Sequence, residues 1–265
     1  MKAQNKVAIV TGGARGIGKQ ICQTLVNAGV KVVIADVLID CGIQTAKELN
    51  ETHSEQSTVA VFQSCNVCNS DEFENLFKIA IDNFGQVDIL VNNAGVGGTE
   101  IWGDENDRSL SRVIDVNLKA PIDGTRLAVR HFMRMGTPGC VVSVTSMAAF
   151  TPIEFANVYA STKAGLTSFT ASCATLSLRD PPIRVNAVAP SFVDTDITKD
   201  TPTKINMILQ AAGIITADDV ATQVIRCIED DSLAGDTIKV IAGAPAIIHD
   251  GPKARSFGLV TEFKL

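Results

Sequence analysis

The chain has 265 residues, of which 46% are hydrophobic and 20% charged, and its 23 Lys and Arg against 29 Asp and Glu leave a formal net charge of −6. This length and composition exclude disorder of the whole chain and fit one α/β core. An acidic balance without a long basic run also argues against nucleic-acid and anionic-membrane partners. Seven cysteines spread through apolar segments are typical of free thiols in a reducing compartment.

Neither end of the chain carries a clear targeting signal. Residues 1–6 lead straight into an apolar run without the hydrophobic core of a signal peptide, and no apolar run is long enough for a bilayer span. The last three residues, Phe263-Lys264-Leu265, only half resemble a peroxisomal Ser-Lys-Leu signal. We therefore expect a cytoplasmic protein.

Short β-branched runs alternate with helix-length segments along the chain. The predicted strands lie at 7–10, 30–35, 59–62, 89–91, 141–144, 185–188 and 238–241, and the predicted helices at 18–28, 43–52, 70–84, 109–135, 154–178 and 217–229. Ser70 is the expected N-cap of the third helix. The alternation predicts a single doubly wound Rossmann-type α/β domain over 1–265, with about seven parallel strands flanked by helices. Irregular residues at about 191–216 are a candidate substrate loop, and about 244–265 form a tail.

A glycine-rich turn separates the first strand from the first helix. It reads Thr11-Gly12-Gly13-Ala14-Arg15-Gly16-Ile17-Gly18. Glycines at such a turn let backbone N–H groups approach a pyrophosphate at the helix N-terminus. A P-loop is excluded because no Gly-Lys-Ser/Thr closes the motif.

Asp36 ends the second strand, eighteen residues after Gly18. A carboxylate there accepts hydrogen bonds from the adenosine ribose hydroxyls and repels a 2′-phosphate, which favours NAD over NADP. Arg15 stands where a guanidinium could assist a phosphate, in conflict with that assignment, and the apolar Val37 favours NAD.

Further motifs follow the later strands. Asn92-Asn93-Ala94-Gly95 follows the fourth, Ser146 follows the fifth, Tyr159 and Lys163 lie four residues apart in a helical segment, and Pro190 follows the sixth. With the glycine turn, these motifs resemble the short-chain dehydrogenases/reductases as far as about residue 195. The stretch 228–235 resembles the 15-hydroxyprostaglandin dehydrogenase-type, NAD-dependent members of that family.

The resemblance implies a set of functional residues and no metal. The implied catalytic residues are Ser146, Tyr159, Lys163 and Asn117, and the implied cofactor-binding residues are Gly12, Arg15, Gly16, Ile17, Gly18, Asp36, Val37, Asn66, Val67, Asn93, Ala94, Gly95, Tyr159, Lys163, Pro190, Val193 and Thr195. Two residues of this chain depart from the family pattern. Asn66 replaces the usual aspartate at the adenine, and Ser191 replaces the usual glycine after Pro190.

The chemistry of these residues agrees with the resemblance. A Lys ammonium beside a phenol stabilises the phenolate, so we expect Lys163 to lower the pKa of Tyr159, the only tyrosine. Tyr159 then serves as general base or acid, and the Ser146 hydroxyl polarises the substrate oxygen. The implied function is hydride transfer between NAD(H) and a secondary alcohol or ketone on a bulky apolar molecule such as a terpenoid, steroid or oxylipin.

Several alternatives stay open at this stage. The same residues suit an NAD(P)H-dependent carbonyl reductase, and a non-catalytic dinucleotide-binding regulator is an alternative of another class. The Cys65-x-x-Cys68 spacing is read as fortuitous because no second pair or suitably spaced histidine supports zinc. The resemblance further implies a homodimer through the segments 109–135 and 154–178, with a tetramer as the alternative.

Overall fold

One eight-stranded sheet organises the fold in the computed structural model, which describes residues 1–53, 58–98, 101–102, 109–151, 153–193 and 213–251. Its order is β3-β2-β1-β4-β5-β6-β7-β8. The strands are β1 (Val7–Thr11), β2 (Lys31–Asp36), β3 (Ala60–Ser64), β4 (Ile89–Asn92), β5 (Gly139–Val144), β6 (Ile183–Pro190), β7 (Thr237–Val240) and β8 (Ile247–Ile248). The predicted doubly wound parallel sheet is confirmed for the first seven strands. The eighth was not predicted: it is a two-residue, solvent-exposed strand that pairs antiparallel with β7.

Helices cover both faces of the sheet. They are α1 (Gly16–Asn27), α2 (Ile39–His53), α3 (Ser70–Phe84), α4 (Ser109–Ile114), α5 (Ala120–Met135), α6 (Asn157–Ser172) and α7 (Ala217–Glu229). Of the predicted boundaries, those of α3 and α7 are confirmed. The N-cap of α3, however, is Asn69 rather than Ser70, because the Asn69 side chain accepts the N–H groups of Asp71 and Glu72.

The long helix predicted over 109–135 is interrupted by a π-helical turn at Asp115–Lys119. There the Ala120 N–H bonds to the Asp115 carbonyl, five residues back. Pro121 follows directly and has no N–H to donate to the carbonyl of Asn117. The α-helical hydrogen bonds between residues four apart are therefore interrupted at this point. The predicted helix over 154–178 is likewise divided, with α6 between 3₁₀ turns at Glu154–Ala156 and Ala174–Leu178.

Two hydrophobic clusters lie on opposite faces of the sheet. One contains side chains from α1, α2 and α7, such as Leu25, Leu49 and Val224, and the other contains side chains from α3 and α5, such as Phe73 and Phe132. Burial on both faces explains why the parallel strands are continuously apolar. The strand order reverses between β1 and β4, which places the candidate ligand site at the carboxyl ends of these strands. Within the described ranges, no helix is both long and apolar enough to cross a membrane.

Candidate active site

The glycine turn after β1 brings two backbone segments together at distances that no side chain would allow. Gly12 has a φ of +64°, and a Cβ built on it would lie 2.8 Å from the Cα of Ala94. A Cβ on Gly18 would lie 2.0 Å from the carbonyl oxygen of Gly12. Glycine at these positions therefore lets the turn pack closely against the start of α1 and the residues after β4.

Asn93 and Thr11 hold the end of β4 against this turn. The Asn93 Nδ2 donates to the carbonyls of Thr11 and Gly12 at 3.0 and 2.9 Å. The Thr11 hydroxyl accepts the N–H groups of Asn93 and Ala94 at 3.1 and 3.2 Å and donates to the Val91 carbonyl at 3.3 Å. Asn93 was predicted as a cofactor residue from its motif, whereas Thr11, which opens the glycine-rich motif, was not predicted.

Asp36 lies at the end of β2 and is only 9% exposed. One carboxylate oxygen accepts the Ala14 N–H at 3.0 Å, and the other accepts the Leu38 N–H at 3.1 Å. The carboxylate thus joins the glycine turn to the start of α2, a role the sequence did not reveal. Each oxygen keeps capacity for another donor. Arg15 and Val37 are exposed beside it, so their side chains are accessible to a ligand.

The candidate adenine-contacting residues follow β3. Asn66 is exposed, and its side-chain carbonyl accepts the Cys68 N–H at 3.1 Å, while its own N–H donates to Glu72 at 2.8 Å. Val67 is half-buried beside it. Of the paired cysteines, Cys65 is buried and Cys68 exposed, and among the described residues no group of three or more His, Cys, Asp or Glu could hold a metal ion.

Asn117 lies in the π-helical turn with its side chain buried. Its Oδ1 accepts the Val96 N–H at 2.9 Å and its Nδ2 donates to the Val96 carbonyl at 2.8 Å. A Cβ on Gly95 would lie 3.4 Å from Asn117 Oδ1 and 3.6 Å from Lys163 Nζ. The fold therefore brings Gly95, Asn117 and Lys163 together from three elements.

Lys163 is buried in α6 and directs its ammonium toward the end of β5. Its Nζ donates to the Val144 carbonyl at 3.0 Å and lies 5.7 Å from the centroid of the Tyr159 ring. Burial lowers the pKa of Lys163 from 10.5 to about 8, because the charged form loses its hydration. A proton can therefore leave this amine near neutral pH.

Tyr159 and Ser146 complete the candidate catalytic set. Burial raises the pKa of Tyr159, and a hydrogen bond from the Ser146 side chain lowers it in part. The predicted lowering by Lys163 is wrong for this structure: desolvation dominates, and the Lys163 ammonium is bonded to Val144. The Ala148 N–H donates to Ser146 Oγ at 3.1 Å and fixes that hydroxyl. Gly98 was also missed: a Cβ there would lie 3.1 Å from the Tyr159 Cβ, and no sequence motif marks it.

The last candidate residues follow β6. Pro190 pairs with Val240 of β7, and the Ser191 N–H donates to the Val240 carbonyl at 2.8 Å. The Ser191 Oγ is buried and has no hydrogen-bond partner within the part of the chain that the structure describes. Val193 is buried and forms a β-bridge with Ile215. Thr195 lies outside the described residues, as do most of the predicted substrate loop and tail.

Comparison with known proteins gives the family directly. A family model described as short chain dehydrogenase matches residues 6–206. The chain belongs to the short-chain dehydrogenase family. It is accordingly an oxidoreductase acting on a hydroxyl or keto group.

Relatives within this family have different reported activities. A 15-hydroxyprostaglandin dehydrogenase [NAD(+)] of Bos taurus is 32% identical, with 91% of this chain and 92% of that protein covered. A diacetyl reductase [(S)-acetoin forming] of Staphylococcus epidermidis is also 32% identical, over 73% of each chain. A solved 7α-hydroxysteroid dehydrogenase, complexed with NADH and 7-oxo glycochenodeoxycholic acid, superposes with a TM-score of 0.82 at 28% identity and covers 92% of this chain and 95% of that one.

Proposed function

We propose that this short-chain dehydrogenase transfers hydride between NAD(H) and a secondary alcohol or ketone on a bulky apolar small molecule. The convergence of Ser146, Tyr159 and Lys163 at the carboxyl end of β5 carries the proposal. A hydrogen-bonded phenol that burial keeps protonated can donate a proton to a carbonyl oxygen, and pKa values displaced by burial are typical of functional sites.

The turn after β1 fits a dinucleotide. Gly12 and Gly18 leave backbone where any Cβ would clash, and the buried Asp36 carboxylate stands beside the exposed Arg15 and Val37. We assign the pyrophosphate to the residues from Gly12 to Gly18, and the adenosine ribose to Asp36. The negative charge of Asp36 favours NAD over its 2′-phosphorylated relative. The other assigned cofactor residues are Asn66, Val67, Asn93, Ala94, Gly95, Tyr159, Lys163, Pro190, Val193 and Thr195.

NAD, held by the residues assigned above, would supply the acceptor or donor of the hydride that the reaction exchanges with the substrate carbon. In oxidation the Tyr159 phenolate takes the hydroxyl proton, and in reduction the Tyr159 phenol gives it back to the ketone oxygen. Ser146 donates a hydrogen bond to the substrate oxygen. Lys163, whose Nζ lies 5.7 Å from the centroid of the Tyr159 ring, is the residue that would hold the nicotinamide ribose. Asn117 orders the backbone at Val96 and is the proposed link from Lys163 to solvent.

We infer a bulky substrate from the apolar residues between Ser146 and Tyr159 together with the names of the relatives. Apolar side chains lie between Ser146 and Tyr159, and one of them, Phe150, has the Lys239 Nζ 4.3 Å above its ring centroid and the His249 ring at 4.5 Å. A prostaglandin and a bile acid, named with two similar proteins, are both bulky and lipid-like. The diacetyl reductase supplies the contrasting case of a small substrate.

A panel of alcohols tests the proposal. Purified protein with NAD is assayed for NADH absorbance on apolar secondary alcohols of steroid, terpenoid and oxylipin type, with acetoin as the small polar comparison and Tyr159→Phe as the control enzyme. We expect Tyr159-dependent NADH formation on at least one bulky alcohol and a far lower rate on acetoin. Turnover of acetoin alone would reject the bulky substrate, and no turnover in either direction would reject the proposal.

We also propose that residues 1–265 form one domain, with a substrate loop at about 191–216 and a tail at about 244–265, and that the chain is a homodimer. Exposed apolar side chains on the helices at the proposed interface support the dimer: Ile114 of α4, and Met133 and Met135 of α5. Light scattering that gives the mass of a monomer would refute the dimer. Residence in the cytoplasm stays a prediction.

A further inference from the structure

Ala14, inside the glycine turn, is held on both sides by other elements. Its N–H donates to Asp36 Oδ2 at 3.0 Å, and its carbonyl accepts the hydroxyl of Thr45 of α2 at 2.9 Å. Ala14 and Thr45 are 2% and 1% exposed. The neighbouring Gly13 N–H donates to the Ala35 carbonyl at 3.3 Å. The turn is therefore joined to β2 and α2 by three hydrogen bonds.

The Thr45 hydroxyl donates its hydrogen bond to a partner that is unusual for a threonine in a helix. Helical Thr hydroxyls commonly bond back to the carbonyl four residues earlier, as Thr170 does to Leu166 at 2.9 Å in α6. The Thr45 hydroxyl instead reaches a residue 31 positions away in the chain. Because the site is closed to water, loss of this hydroxyl would leave the buried Ala14 carbonyl without its donor.

The peptide group between Ala14 and Arg15 carries this constraint to the start of α1. A trans peptide is planar and its N–H points opposite to its carbonyl. With the Ala14 carbonyl bonded to α2, the Arg15 N–H is directed away from α2. Arg15 is the N-cap of α1, so the orientation of the first free N–H groups of that helix depends on the same peptide.

We propose that Thr45 is a positioning residue for NAD. Its hydroxyl holds Ala14, and through Ala14 it sets both the N-terminus of α1, for the pyrophosphate, and the carboxylate of Asp36, for the ribose. This inference rests on the proposed function. Thr45 does not touch the cofactor, so its contribution is to the geometry of the groups that do.

The test compares three variants by NADH fluorescence titration, steady-state kinetics and thermal melting. Thr45→Val keeps the shape and removes the hydroxyl, Thr45→Ser keeps the hydroxyl, and Thr170→Val removes a buried Thr-to-carbonyl bond of equal length elsewhere. We expect Thr45→Val to raise the NADH Kd and the KM for NAD by about five- to twentyfold, with kcat and the KM for the alcohol within about twofold. Thr45→Ser should bind NADH within about twofold of wild type.

A merely structural role predicts a different pattern. Thr170→Val should lower the melting temperature without weakening NADH, so equal NADH affinities for Thr45→Val and wild type, or equal weakening by Thr45→Val and Thr170→Val, would overturn the inference. Failure of Thr45→Ser to restore affinity would do the same. If Thr45→Val does not fold, Thr45→Ala, which removes the same hydroxyl, takes its place. Wild type that binds no NADH would instead reject the proposed function itself.

Discussion

The two halves of the candidate site use their polar side chains in opposite ways. Around the glycine turn, Thr11, Asn93 and Asp36 hydrogen-bond to backbone groups and so hold the chain in shape. At the end of β5, by contrast, Lys163 and Tyr159 are buried at a cost that shifts both pKa values. Under the proposed function, the first half combines cofactor binding with stability, whereas the second trades stability for chemistry. Substitutions should therefore separate the two halves.

The largest effect is expected from Gly18→Ala in the cofactor half. Its Cβ would lie 2.0 Å from the Gly12 carbonyl oxygen and 2.6 Å from Asn93 Nδ2, and the backbone oxygen cannot move aside alone. We expect a loss of about 3 kcal/mol or more in the free energy of unfolding, with NADH binding abolished. Denaturant unfolding and NADH titration measure both. Gly97→Ala is the matched control, because its added Cβ meets nothing within 4 Å; normal NADH affinity in Gly18→Ala would contradict the close approach.

Lys163→Met, in the catalytic half, should raise the free energy of unfolding, whereas Gly18→Ala lowers it. The unfolded chain holds this proton up to about pH 10.5 and the folded chain only to about 8. Raising the pH from 8 to 10.5 therefore stabilises the folded wild type, and below pH 8 the full cost of the buried ammonium is present. We expect Lys163→Met to be more stable by about 1–3 kcal/mol at pH 7, the loss of the Val144 hydrogen bond offsetting part of the gain.

The same variant should lose turnover by about a hundredfold or more, because the nicotinamide ribose and the proposed link through Asn117 to solvent both lose the Lys163 amine. Denaturant unfolding at pH 7 and pH 10, with steady-state rates at each, makes the measurement. Lys47→Met, at an exposed lysine of α2, serves as control and should change neither quantity. If Lys163→Met were less stable than wild type at pH 7, the buried ammonium would not lower the free energy of unfolding, and the prediction would be wrong.

Asp36→Asn should change which dinucleotide binds. The substitution removes the charge that repels a 2′-phosphate while Arg15 remains beside it, and it also places an amide against two backbone N–H donors. We expect the ratio of the NADPH Kd to the NADH Kd to fall by about tenfold or more. Fluorescence titration with both dinucleotides measures this ratio, and Asp40→Asn at the start of α2 is the control. An unchanged ratio would remove Asp36 as the specificity residue.

The pH dependence of turnover should give the smallest effect. Because burial raises the pKa of Tyr159, the phenolate that oxidation needs is a minor form at neutral pH. The rate of alcohol oxidation should therefore rise with pH above neutrality. The rate of ketone reduction should stay constant over the first part of this rise in pH and then fall. Initial rates in both directions across this range make the measurement; an oxidation rate that falls as the pH rises would contradict a tyrosine base.

Features that depend on local pattern could be predicted from the sequence, and features that depend on distant contacts could not. Apolar runs gave seven strands, and Gly12, Gly18, Asp36 and Tyr159 stand in motifs whose spacing is local. The π-helical turn is an exception, because Pro121 is a local signal of an interrupted helix that the continuous prediction over 109–135 did not use. The strand β8 consists of two exposed residues and has no periodicity to detect.

Long-range pairings and burial account for the other differences. The bonds of Asp36 and Thr45 to Ala14 join segments 22 and 31 residues apart, which no window of sequence shows. The direction of the Tyr159 pKa shift follows from burial in the folded chain, so the residues Tyr159 and Lys163 alone predicted the wrong sign.

Tyr159→Phe tests the separation of the two halves most directly. It removes one hydroxyl from the catalytic half and leaves every bond around Ala14 in place. NADH titration and turnover of the best alcohol are compared in this variant and wild type. We predict that the NADH Kd rises by no more than about tenfold, for the loss of one hydroxyl that is also an assigned cofactor contact, and that turnover falls by about a thousandfold or more. Turnover within about tenfold of wild type, or NADH binding lost together with turnover, would contradict the account.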